Sequence, residues 1–170
     1  MEWGETLTRW TARLAWIFYI IALSIQLSSR RHPSSPQDAA RWAWTLGCAV
    51  FLAHVTAAFQ YYHHWSHTAA YEATAQRTAD VTNFRWGGGL YGNYLFLIVW
   101  AADTLFWWIA GHQWYLHRSR GWEMSVQSFL GFMFFNATLV FGQGLIRWLA
   151  VGGLFALALA WWHGRTRQTV

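Results

Sequence analysis

The sequence predicts an all-α integral membrane protein, a bundle of five transmembrane helices with an extended helical loop after the second. Three observations predict it. Apolar runs of about 20 residues, the length that spans a bilayer core, recur along the chain. The gaps between them are short, polar and rich in Arg, which supplies all twelve basic residues. The chain of 170 residues also holds fifteen Trp, seven Tyr and twelve Phe, with only 11% charged residues, where a soluble domain carries about 25%. Trp and Tyr favour the lipid–water boundary. They score as polar on hydropathy scales, which explains a mean hydropathy of only +0.16.

The first apolar run, "WTARLAWIFYIIALSIQL", predicts a helix over residues 10–28, with Arg9 and Arg13 at its start. The small-residue stretch at Ala22–Ser24 resembles a signal cleavage site, but apolar residues continue past it, so a retained helix is expected. A polar loop, 28–41, follows with both prolines, and Asp38 is placed to cap the next helix. The second helix covers residues 42–62 and contains His54. Alanines at 69, 70, 73, 75 and 79 then favour helix, so this element is expected to continue to about residue 80, until Gly87–Gly89 turns the chain. The third helix, 90–111, contains Asp103. The stretch from Met124 to Trp162 is too long for one span, and "GQGLIR" interrupts it. It predicts helices at 125–141 and 148–162, or one long kinked helix and four spans in all. No internal repeat and no soluble domain is evident, and residues 1–170 read as a single polytopic transmembrane domain.

With five spans, Arg30, Arg31, Arg41, Arg118, Arg120, Arg165 and Arg167 share one side, against Arg9, Arg13, Arg77, Arg85 and Arg147 on the other. The positive-inside rule then places the C-terminus in the cytoplasm and the N-terminus outside a bacterial inner membrane. The spread of the arginines argues against nucleic acid as a partner. Cys48, the sole cysteine, lies within an apolar run; this excludes a disulfide framework and a thiolate cluster.

Two groups of residues could carry chemistry. His63, His64 and His67 follow the second apolar run. On a continuous helix His63 and His67 lie about 40° apart, close enough for two imidazoles to reach one transition metal or a b-type haem. Gln60 and Tyr71 extend the same stripe, and Glu72 offers an oxygen ligand. The competing reading is that of amphipathic rings resting at headgroup level. "HQWYLH" and "HHWSH" also invite comparison with the histidine boxes of membrane di-iron desaturases. The order is reversed, a third box is absent and the two clusters fall on opposite sides, so the comparison fails.

The second group is His54 and Asp103. A carboxylate near the bilayer centre costs about 2.5 to 3.5 kcal/mol, so Asp103 should face the bundle interior and find a partner there. His54, on the neighbouring helix, is the expected one. Such a pair could relay protons, or it could tie two helices together.

The functional expectations follow from these groups. The chain reads first as an accessory subunit of a larger membrane complex, partnered by lipid and by other membrane subunits or copies of itself. It carries a candidate metal or haem site, and enzymatic activity of its own is not expected. Alternatives are a proton relay or small transporter component using His54 and Asp103, and a purely structural membrane protein.

Overall fold

A computed structural model describes residues 2–29, 37–142 and 144–166. Among the described residues six α-helices follow one another: α1 (Glu2–Ser29), α2 (Gln37–Ala58), α3 (His67–Thr82), α4 (Gly89–Leu116), α5 (Arg120–Phe135) and α6 (Leu145–Thr166). A π-helical turn extends α2 through Phe59–His63, and another extends α5 through Asn136–Val140. No strand occurs among the described residues. The part of the first polar loop from 30 to 36, Gln143 and Arg167 lie outside the described residues.

Four of the helical runs are long and apolar enough to cross a membrane: Trp3–Leu27, Asp38–His63, Gly89–Leu116 and Leu145–Trp162. The remaining expected run, 125–141, falls on α5 and its π turn, which are not among these four.

Several helices start before their expected positions, α1 and α2 among them. α1 begins at Glu2, well before Trp10, and an i,i+4 ion pair between Glu5 and Arg9 supports the added turns. α2 begins at Gln37, so Asp38 sits in the first turn rather than at the cap. There it favours the helix N-terminus by its charge and pairs with Arg41 at 3.0 Å.

The expectation of one helix running from 42 to about 80 is corrected. The chain breaks at His64 and Trp65, whose φ angles of 47° and 57° are left-handed. Ser66 then starts α3, its Oγ accepting from the Ala69 N–H at 3.2 Å. Left-handed non-glycine residues cost about 1–3 kcal/mol each, so the surrounding contacts must hold the break. Trp65 donates from Nε1 to Gln60 Oε1 at 2.9 Å, and its ring lies 5.9 Å from that of Phe59.

The core is built from rings. Trp16 and Tyr19 of α1, Trp44 of α2, Phe96 and Trp100 of α4, and Phe134 of α5 are all buried. Centroid separations of 4.6 Å for Tyr19–Phe134, 5.1 Å for Phe96–Phe134 and 5.5 Å for Trp44–Trp100 lie in the range of favourable aromatic pairs. Two glycines permit this packing. A Cβ at Gly47 would come within 2.8 Å of the Trp100 ring, and one at Gly153 within 2.9 Å of Trp16. Trp16 Nε1 also donates to the Leu149 carbonyl at 3.3 Å, fixing α6 against α1.

Candidate functional site: a carboxylate beneath a broken helix

The histidines of the 63–67 stretch are dispersed by the break before α3. His63 ends the π turn, with its ring edge-on to Phe59 at 5.5 Å. His64 is the left-handed residue after it. His67 opens α3 and shares a hydrogen bond between Nδ1 and the Tyr94 hydroxyl at 3.1 Å. The i,i+4 registry that would aim His63 and His67 at one ion needs an unbroken helix, and the break removes it. Of the supporting residues, Gln60 holds Trp65, and Tyr71 packs against the backbone of Gly87. Glu72 pairs with Arg85 at 2.6 Å. Among the described residues, no three His, Cys, Asp or Glu side chains are grouped to hold a metal ion.

His54 and Asp103 are tied to different partners. His54 Nδ1 lies 2.9 Å from the Thr8 carbonyl of α1. A carbonyl can only accept, so Nδ1 carries the proton and donates. The Thr11 hydroxyl lies 3.5 Å from the same nitrogen. The expected His54–Asp103 pair gives way to this α1–α2 tie. The depth offset between the two residues, about 7 Å at 1.5 Å per residue, favours the nearer carbonyl.

Asp103 is 3% exposed, and its Oδ2 accepts from the Tyr115 hydroxyl at 2.7 Å. Twelve residues separate them, about 18 Å along an unbroken helix. Gly111 closes that distance. Its φ of 76° and ψ of 175° are non-helical, and they turn residues 112–116 back over the end of α4. A Cβ there would meet nothing within 4 Å, so the position requires glycine for its backbone angle rather than for space.

Three further contacts hold the returned segment. Trp107 and Tyr115 stack face to face, centroids 3.9 Å apart and planes within 4°. Trp107 Nε1 donates to His112 Nδ1 at 3.2 Å. The Arg118 guanidinium lies 3.7 Å above the Tyr115 ring. Since Trp107 occupies one face of that ring, Arg118 occupies the other. Arg118 is itself buried, its side chain 5% exposed, with Glu123 3.9 Å away. Asp103, Tyr115, Arg118 and Glu123 thus form a line of polar groups from the bundle interior towards the α4–α5 turn.

The site is not fully satisfied. Nine buried side-chain atoms lack a hydrogen-bond partner among the described residues, and Asp103 Oδ1 is the one acceptor among them. The Trp44 indole N–H, also among the nine, is a donor beside the same carboxylate. Tyr115, Arg118, Trp107 and Trp44 were absent from the sequence-based candidates. For Tyr115 and Arg118 the sequence signal is slight: an aromatic residue and an Arg three positions apart, the first four residues after a glycine.

The fold and site define an all-helical protein with four helices compatible with a membrane location and a buried carboxylate under a helix that breaks and returns. No known protein family, curated protein or solved structure matches the chain.

Proposed function

We propose that the chain crosses a bilayer in five helical passes and relays protons through Asp103. One observation carries this reading: a carboxylate buried in the bundle interior, with one oxygen bonded to Tyr115 and the Trp44 indole N–H beside it. A buried carboxylate held by a phenol can take a proton on one oxygen and exchange one through the other. Ionisable residues inside a membrane bundle commonly mark proton routes. The arginine count favours an orientation in which the Asp103 end, with Arg41, Arg118 and Arg120, faces the cytoplasm. The test is proton flux into vesicles containing the purified protein and a pH-sensitive dye, under an imposed membrane potential. Wild-type flux should exceed that of Asp103→Asn, which should match protein-free vesicles. A wild type no faster than empty vesicles would sink the reading.

A second reading, an accessory subunit of a larger membrane complex, draws on α6. That helix is the least covered of the four apolar runs, and Phe155 at its middle is 66% exposed. A photoreactive phenylalanine analogue at 155 is expected to give one discrete protein adduct in native membranes. Adducts to lipid alone would remove this reading.

A further inference from the structure

We propose that Tyr115 is a proton-coupled redox residue, giving up an electron while its phenolic proton passes to Asp103. The inference rests on the same carboxylate as the relay reading but asks a different thing of it. Three features of the geometry carry it. The first is the 2.7 Å hydrogen bond from the phenol to Asp103 Oδ2, which places a base on the proton that must leave. The second is the Trp107 ring, stacked at 3.9 Å and nearly parallel, which provides direct electronic contact with a second oxidisable side chain. Trp107 has a base of its own. Because the indole N–H donates to His112 Nδ1, that nitrogen is unprotonated and can accept the indole proton in turn. The third is Arg118. A guanidinium 3.7 Å above the Tyr115 ring opposes a positive charge on it, so electron loss there must be accompanied by proton loss.

The step balances as follows. Tyr115–OH loses one electron and its proton and becomes a neutral phenoxyl radical. The O–H bond breaks, an O–H bond forms on the Asp103 carboxylate, and the electron leaves through the stacked Trp107. The acceptor is an outer-sphere one-electron oxidant of high potential. In the experiment it is a photogenerated ruthenium(III) polypyridyl complex, and in a larger assembly it would be an oxidising metal centre of a partner subunit. The buried aromatic cluster lies beyond Asp103. Trp44, which interacts with the carboxylate, is 5.5 Å from Trp100 and 5.6 Å from Tyr19, so oxidisable rings continue into the bundle.

The test is flash photolysis of the full chain in detergent micelles with the ruthenium complex and a sacrificial quencher. Transient absorption and electron paramagnetic resonance identify the radical. The wild type should yield a tyrosyl radical, and Tyr115→Phe should replace it with a neutral tryptophanyl radical. Asp103→Asn, which keeps the shape but removes the base, should slow tyrosyl formation by about 100-fold, the low end of what a positioned base contributes. Site-specific difluorotyrosine at 115 should add fluorine hyperfine structure to the signal. This variant keeps the hydroxyl and so serves even if Tyr115→Phe fails to fold. Undiminished tyrosyl signal in Tyr115→Phe would place the radical on exposed tyrosines such as Tyr61, Tyr62 or Tyr91 and overturn the proposal. So would equal formation rates in wild type and Asp103→Asn. Proton flux without a Tyr115 radical overturns this inference and leaves the relay intact; a Tyr115 radical without flux does the reverse.

Discussion

Replacing Asp103 by leucine is expected to cost about 2–3 kcal/mol of stability, and adding Tyr115→Phe should return about 1 kcal/mol of it. Leucine branches at Cγ as aspartate does, although it is larger, and it removes the cost of burying a carboxylate. It also strands the Tyr115 hydroxyl, whose hydrogen bond is to Asp103, and it deprives the buried Arg118 of a nearby negative charge. Removing one partner of a buried polar pair costs more than removing both, because the survivor has lost water and gained nothing. A double-mutant cycle on thermal or denaturant unfolding in mild detergent measures the coupling. If the two single losses simply add, the pair does not hold the returned segment in place.

Truncating Trp100 to alanine is expected to be the most destabilising single change in the core, at about 3–5 kcal/mol. The side chain is fully buried. Its ring meets Trp44, Tyr19, Phe51, Phe96 and Phe134 within centroid distances of 5.5 to 6.0 Å. Gly47 sits directly against it. For a chain that crosses a bilayer as proposed, the gain from leaving water is absent, and association depends on close packing. The cavity term therefore dominates, and neighbouring rings are too rigid to fill the space. Unfolding followed by circular dichroism is the appropriate measurement, since fourteen other tryptophans would mask the change in fluorescence. A loss below about 1 kcal/mol would show that the aromatic cluster packs loosely.

Much of the helical architecture was legible in the sequence because its apolar runs have the length that a bilayer core would require. The expected runs at 10–28, 42–62, 90–111 and 148–162 each correspond to an observed long apolar helix. The break at His64–Trp65 was not legible. The alanines that follow favour helix, and nothing in the local pattern announces two left-handed residues. Ser66 is the only sign, a good cap set among histidines. Asp103 could be identified from its cost alone, whereas its partner could not. Helical spacing puts Tyr115 out of reach, and only the backbone angle at Gly111 brings it back. The sequence marks Gly111 as an end to the third helix without indicating where the chain goes next. His54 was likewise recognisable as a buried polar residue, yet its acceptor is a main-chain carbonyl, which no side-chain inventory displays.

The glycine break also sets a length. Unbroken, the 28 residues of α4 would measure about 42 Å, well beyond a hydrocarbon core of about 30 Å. Ending the straight portion at Ala110 leaves 22 residues, about 33 Å, which matches such a core with little tilt. The returned segment then lies across the end of the bundle instead of projecting from it. For a chain that crosses a bilayer as proposed, the same five residues that cover the carboxylate also remove a hydrophobic mismatch. Straightening α4 would therefore shift the protein's preference towards thicker membranes.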